Sequence, residues 1–146
     1  VAGVLIAHAD AAMATLCTRI TRAEDYRSPH VVKVVSDAAG RALYFSRAPI
    51  PAAGHTGAGP AGGDGGFPVS ARHIGLYAYR IGALRALAVS PPCYLEQCEN
   101  LEQLRAMWMG LEIRIAQAIE PHGPDIDTPE DLQRALEFMR STGMSA

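Results

Sequence analysis

Hydrophobic and polar residues follow two different periods along this chain, and each change of period marks an element. Val1 to about Ala12 is an apolar, helix-like run that reads as the end of a helix, and Met13 to Thr18 as a short strand. Arg22 to Arg27 is polar and predicts a turn. Val31-Val32-Lys33-Val34-Val35 is dense in β-branched residues, which fit a pleated surface, and predicts a buried strand. Asp37-Ala38-Ala39-Gly40 supplies turn residues, so Ala42 to Ser46 returns as the second strand of a hairpin. Arg72 to Arg80 predicts a strand with aromatic character. Ile81 to Val89 predicts a short helix, stopped by Ser90-Pro91-Pro92. Leu95 to Met109 predicts one helix, with Leu95, Cys98, Leu101, Leu104 and Trp108 three and four apart on a buried face. Glu112 to Ile119 reads as a strand and Gly123-Pro124 as a turn. Thr128-Pro129-Glu130-Asp131 then opens a last helix: Thr caps, Pro suits the first turn, and the acids favour the positive end. Leu132, Ala135, Leu136 and Met139 are its buried stripe. Strands alternating with helices predict an α/β architecture.

One stretch breaks the pattern. Residues 51–68 hold seven glycines and three prolines, which predicts a flexible surface loop. It is too long for an ordinary connection, so it is either functional or disordered.

Composition narrows the class. At 146 residues and 49% hydrophobic, with 19% charged residues and a net charge of -2, the chain has the size and apolar content of a globular domain rather than a disordered one. No run approaches the roughly 18 to 20 apolar residues of a membrane span. A pI near 6.2 argues against a generic nucleic-acid binder. Cys17, Cys93 and Cys98 form no CxxC pair, which disfavours a disulfide framework or a zinc site and fits a reduced, cytoplasmic setting. Charge is uneven: residues 1–93 hold nine basic against five acidic residues, residues 94–146 four against ten. Lys33 is the sole lysine beside twelve arginines. Arginine suits bidentate recognition of carboxylate and phosphate, and the bias also follows from GC-rich coding.

Four places carry candidate chemistry. In His73-Ile74-Gly75-Leu76-Tyr77-Ala78-Tyr79, a period of two sends Ile74, Leu76 and Ala78 to one face. His73, Gly75, Tyr77 and Tyr79 go to the other, where Gly75 leaves room between polar rings: a ligand shelf, or simply a half-exposed strand face. Glu96, Glu99, Glu102 and Gln103 share the long helix, where the plain reading is a solvated face with Glu102 and Arg105 as a surface pair. Asp125 and Asp127, before a capped helix, either hold a hard divalent cation or serve the helix dipole. Arg47, closing Tyr44-Phe45-Ser46, is a lone candidate anion clamp. The chain has no GxxxxGK[ST], GxGxxG, nucleophile elbow or HExxH.

In order along the chain, five blocks resemble the sugar-acid cytidylyltransferases, and specifically the 3-deoxy-manno-octulosonate (Kdo) cytidylyltransferase family. They are Val31-Val32-Lys33-Val34-Val35 with Asp37 and Gly40; Ala42-Leu43-Tyr44-Phe45-Ser46-Arg47 with Pro49-Ile50-Pro51; and Arg72-His73-Ile74-Gly75-Leu76-Tyr77-Ala78-Tyr79-Arg80. Leu95-Glu96, Glu99 and Leu101-Glu102-Gln103-Leu104-Arg105 form the fourth, and Asp127-Thr128-Pro129-Glu130-Asp131-Leu132 the fifth. The resemblance implies a Rossmann-like nucleotidyltransferase fold, with a mixed sheet and flanking helices. It implies an enzyme that couples CTP and Kdo to CMP-Kdo and pyrophosphate for lipopolysaccharide biosynthesis, in the cytoplasm, as a homodimer, without nucleic-acid or membrane partners. It further implies that Arg47, His73, Tyr77, Glu102 and Gln103 line the sugar-acid pocket and that Asp127 is a catalytic ligand of Mg²⁺. Asp125 matches no family carboxylate.

The chain also departs from that pattern. Ala52-Ala53-Gly54 stands where members carry a Trp-Asp-Arg-like stretch, and Cys93-Tyr94-Leu95-Glu96 replaces a Ser-Pro-Leu-Glu helix start, Cys being a poor cap. The family's CTP-binding half has no counterpart, since Val1 aligns with the helix that follows the Gly-Asp-Glu metal segment. The expectation is therefore the C-terminal portion of a single cytidylyltransferase domain, inactive by itself. The alternatives are a synthetase for another CMP-sugar acid and a non-catalytic sugar-acid-binding or dimerisation module.

Overall fold

A computed structural model describes residues 1–52, 70–119 and 129–141 of the chain. Most of the Gly/Pro-rich stretch, the Gly123-Pro124 turn, Asp125, Asp127 and Thr128 lie outside the described residues. The elements are α1 (Ala2–Ala7), β1 (Met13–Arg19), α2 (Ala23–Arg27), β2 (Lys33–Ser36), β3 (Ala42–Ser46), β4 (Ala71–Tyr79), α3 (Ile81–Val89), α4 (Tyr94–Glu99), α5 (Gln103–Trp108), β5 (Ile113–Gln117) and α6 (Pro129–Ser141).

The five strands make one sheet in the order β3-β2-β4-β1-β5. Only β1 and β5 run parallel; the other neighbours are antiparallel. The expected mixed sheet with helices is therefore what the chain builds. The β2–β3 hairpin forms as its turn residues predict. Asp37 Oδ1 accepts from the backbone N–H groups of Ala39 and Arg41, both at 2.9 Å. Gly40 is required there twice over: its φ is +78°, and a Cβ would sit 3.1 Å from the carbonyl of Ile115.

One face of the sheet carries the core. Residues paired across neighbouring strands share a face, so Met13, Thr15 and Cys17 of β1 lie beside Tyr79, Tyr77 and His73 of β4. Met13, Val34, Ala42, Phe45 and Ile113 pack there with Leu101, Leu104 and Ala106 from the α4–α5 region. A smaller cluster joins Ile20, Tyr26 and Val31.

The structure corrects four expectations. Arg22 to Arg27 is not a turn throughout: Ala23–Arg27 is helical, with Glu24 and Asp25 in its first turn, Arg27 in its last, and Tyr26 buried. The terminal run ends its helix at Ala7 and turns before Met13. The helix expected over Leu95 to Met109 is two helices, broken at Asn100, which adopts φ 50°, ψ 51°. Asparagine tolerates that left-handed conformation better than most residues. The break costs about 1–2 kcal/mol, whereas burying Leu101 and Leu104 contributes roughly 1.5–3 kcal/mol each, so burial decides. It also takes Trp108 off the predicted stripe, leaving it 63% exposed, with Cys98 exposed as well. Lastly, only Ala135 of the four stripe residues in α6 is fully buried among the described residues; Leu132 and Leu136 remain exposed.

Candidate functional site

The described site residues fall into three places: a row of rings on β4, a cleft beside it, and Arg47. His73 and Tyr77 stand on the core face of β4, with ring centroids 5.3 Å apart, and Tyr79 continues the row 5.7 Å beyond Tyr77. Phe45 meets the other side of His73 edge-on at 5.0 Å. This row exists because β4 bulges. Thr15 pairs with Tyr77 and Leu16 with Ile74, so Gly75 and Leu76 have no counterpart on β1. The imidazole and phenol approach each other across the bulge, so the gap expected between them at Gly75 does not form. Open space remains at Gly75 itself, where a Cβ would meet nothing within 4 Å.

Thr15 braces the bulge from β1. Its Oγ1 lies 3.0 Å from His73 Nε2, from the carbonyl of Ile74 and from that of Leu76. No sequence signal marked it except a lone hydroxyl inside the apolar run Met13-Ala14-Thr15-Leu16.

Glu102 and Gln103 belong to a cleft of about 190 Å³ between the sheet and the helices, lined also by Tyr79, Leu84, Leu87 and Arg105. Arg47, His73 and Tyr77 do not line that cleft, but Tyr79 joins it to the row of rings. Electrostatics joins them too. Burial pushes the Tyr77 phenol far above its ordinary value, with smaller contributions in the same direction from Tyr79 and the Glu102 carboxylate. Tyr79 is shifted up by burial and then by Glu102. Among the described residues three buried side-chain polar atoms have no hydrogen-bond partner, all of them here: Tyr77 Oη, Gln103 Nε2 and Arg105 Nε, the last of which is still ion-paired with Glu96. Such an orphan costs roughly 1–3 kcal/mol, so the Tyr77 hydroxyl and the Gln103 amide are donors that the fold itself does not use.

Arg105 does not pair with Glu102 as expected. It reaches Glu96 at 3.1 Å and donates to the carbonyl of Ser90 at 2.7 Å, while Glu102 stays exposed. Glu96 also accepts the backbone N–H of Cys93 at 3.2 Å, and with the Cys93 side chain facing the Glu96 backbone N–H the start of α4 is closed as a capping box despite the weak cap residue.

Arg47 stands apart, in a network of its own. Its Nε donates to the carbonyl of Glu99 at 2.7 Å, Nη1 to Pro29 at 3.0 Å and Nη2 to Asn100 at 3.4 Å. The Glu99 carboxylate accepts from Ser46 Oγ (2.7 Å) and from the backbone N–H of Arg47 (2.9 Å). Glu99 is thus half-buried and structural, not a solvated acid, and the break at Asn100 puts Gln103 on a different helix. Below lies Lys33, fully buried, whose ammonium donates to the carbonyls of Ser28 (2.7 Å), Arg47 (2.6 Å) and Val31. Burial holds its pKa below the usual lysine range, against the opposing pull of Glu99. Asp127 lies outside the described residues. Among the described residues, no group of three His, Cys, Asp or Glu could hold a metal ion.

Comparison with known proteins bears on this arrangement. The chain is 47% identical over 145 residues to a 3-deoxy-manno-octulosonate cytidylyltransferase of Alkalilimnicola ehrlichii, covering 97% of this chain and 55% of that protein. A protein of the same name from Thioalkalivibrio sulfidiphilus is 48% identical over 141 residues, with coverage of 97% and 56%. The chain spans about half the length of the curated relatives it matches. Among solved structures it superimposes on CMP:2-keto-3-deoxy-manno-octonic acid synthetase complexed with CTP. The TM-score is 0.80 at 35% identity, covering 94% of this chain and 53% of that one. This likeness bears out the Rossmann-like nucleotidyltransferase fold. The sequence model of the cytidylyltransferases matches residues 4–113, and the chain belongs to that family.

Proposed function

We propose that the protein carrying this chain transfers a cytidylyl group from CTP to the sugar acid Kdo, giving CMP-Kdo and pyrophosphate. The observation that carries the reading is the pair of buried orphans, Tyr77 Oη and Gln103 Nε2, at the joined ring row and cleft. They occur in a chain nearly half identical to 3-deoxy-manno-octulosonate cytidylyltransferases. A polyhydroxylated acid supplies the missing partners: its hydroxyls accept from Tyr77 and Gln103 and donate to the exposed Glu102 carboxylate, with His73 alongside. A guanidinium has five N–H donors. Three of those of Arg47 are engaged by carbonyls, which leaves two for the sugar carboxylate.

In the proposed step the anomeric hydroxyl oxygen attacks the α-phosphorus of CTP in line. A bond forms between that oxygen and phosphorus, the bond to the bridging oxygen breaks, and pyrophosphate leaves. The site residues bind and orient the sugar acid for this attack. Asp127 is proposed as a magnesium ligand; when bound, a hard cation offsets the charge on the departing pyrophosphate. The same reading makes the protein a cytoplasmic homodimer serving lipopolysaccharide biosynthesis. No helix among the described residues is long and apolar enough to cross a membrane.

The test is pyrophosphate release by the full-length protein, supplied with CTP, Kdo and Mg²⁺. Release that needs all three, with Kdo preferred over other sugar acids in competition, is expected. Turnover with a different sugar acid but not with Kdo would move the assignment to another CMP-sugar-acid synthetase. Binding of Kdo without turnover would leave a binding module.

A further inference from the structure

We propose that Lys33 and Glu99 are positioning residues that hold the backbone of Arg47 from both sides and so aim its guanidinium at the carboxylate of the sugar acid. The sheet itself does not fix Arg47. The β2–β3 ladder ends where Lys33 pairs with Ser46, the last residue of β3, and Arg47 is the first residue beyond it. Two charged side chains take over there. The Glu99 carboxylate accepts the Arg47 N–H at 2.9 Å, and Lys33 Nζ donates to the Arg47 carbonyl at 2.6 Å. Ser46 Oγ donates to the same carboxylate at 2.7 Å and accepts the N–H of Ala48 at 2.9 Å, which ties in the neighbours on either side. Hydrogen bonds with an ionised partner are roughly twice as strong as neutral ones.

Lysine is the side chain this place requires. The carbonyls of Ser28, Val31 and Arg47 converge on one nitrogen, and an ammonium carries three N–H donors on a single atom. The other twelve basic residues are arginines, whose donors are spread over a rigid fork. Burying a cation is costly without bonding partners; Lys33 is 0% exposed and has three. Burial and the Arg47 charge favour its neutral form, and the Glu99 charge opposes them. Glu99 also offers its backbone carbonyl to Arg47 Nε, while Pro29 and Asn100 each take one N–H from a terminal nitrogen. One N–H remains on each of Nη1 and Nη2, a pair that suits a bidentate carboxylate. Neither Lys33 nor Glu99 is among the residues that the family resemblance assigns to the pocket.

This inference deepens the proposed function and rests on its claim that Arg47 meets the sugar carboxylate. The experiment uses full-length protein labelled with ¹⁵N at arginine, with Arg47→Lys to assign the Arg47 Nε–H signal. In the wild type that proton should exchange with water about tenfold more slowly than in an exposed arginine, or slower still. Lys33→Met removes one clamp, and Glu99→Gln puts an amide donor in place of an acceptor oxygen. Each should speed the exchange and raise KM for the sugar acid about tenfold, with KM for CTP within about twofold. Arg47→Lys keeps a cation but loses the fork. In that background either substitution should change the sugar-acid KM by less than about twofold, because the group they aim is gone. A merely structural role would leave their effect undiminished there.

Fast exchange of the wild-type Arg47 Nε–H overturns the proposal. So do variant signals identical to wild type, and so does an undiminished effect in the Arg47→Lys background. If Lys33→Met does not fold, Glu99→Gln and the wild-type spectrum still decide. An altered Arg47 signal beside an unchanged sugar-acid KM overturns the aiming of the guanidinium at the substrate. If the wild type transfers no cytidylyl group to Kdo, the proposed function fails instead, and the Arg47 signal still reads the positioning on its own.

Discussion

Tyr77 presents the residue-scale conflict most plainly. Its hydroxyl is buried without a partner, which opposes folding, yet it stands in the ring row where a polyol has use for a donor. Tyr77→Phe removes the orphan and keeps the ring. Thermal unfolding of the ligand-free protein should show a gain of about 1 kcal/mol, while KM for the sugar acid rises several-fold. The two readouts move in opposite directions only if the hydroxyl serves a ligand. The pH dependence has a definite sign as well. Burial raises the Tyr77 pKa above the unfolded value near 10. Its contribution is therefore complete below about pH 10 and lost as pH climbs beyond it. Tyr77→Phe should show a shallower alkaline decline. The alternation in β4 made His73, Tyr77 and Tyr79 legible as one face. The bulge was not legible, because it depends on how β1 pairs with β4.

At the scale of elements, the break between α4 and α5 organises the site. A straight helix through residues 95–109 would satisfy the apolar periodicity, and the sequence reads that way. Asn100 interrupts it, and the carbonyls of Glu99 and Asn100 turn towards Arg47. The amide of Leu101 returns to the carbonyl of Glu96 at 3.3 Å, closing the first helix. Asn100→Gly should be nearly neutral, since glycine enters the left-handed region freely. Asn100→Ala should destabilise by roughly 1 kcal/mol. Chemical denaturation of the two variants checks this, and equal losses would show that side-chain contacts of Asn100 matter more than its backbone. The hint was present in the sequence as an asparagine near the middle of the run, but periodicity outweighed it.

Across the whole molecule, cations act as clips between segments remote in sequence. Arg80 reaches the carbonyls of Leu5, His8 and Ala11; Arg114 reaches Ala39; Arg105 reaches Ser90. Arg47 and Lys33 together gather the 28–31 segment, the end of β3 and the α4–α5 link. The surplus of arginine therefore has a structural use that composition alone did not assign. Arg47→Met should cost about 2–3 kcal/mol in thermal unfolding, because several carbonyls lose a charged donor together. It should also weaken sugar-acid binding. A loss of binding with unchanged stability would mean that the clip is dispensable and the free N–H groups are not.

What the sequence determined by itself was local and periodic. The β2–β3 hairpin follows from Asp37 and Gly40, the face of β4 from its alternation, and the last helix from its start signals. Family membership was legible too, because short blocks in fixed order survive as sequence. Tertiary structure decided the rest: the parallel pairing of β1 with β5, the bulge opposite Thr15, the break at Asn100 and the burial of Lys33. Each of these is a trade between a local cost and burial or hydrogen bonding supplied by a distant segment, and no window of neighbouring residues contains both sides of it.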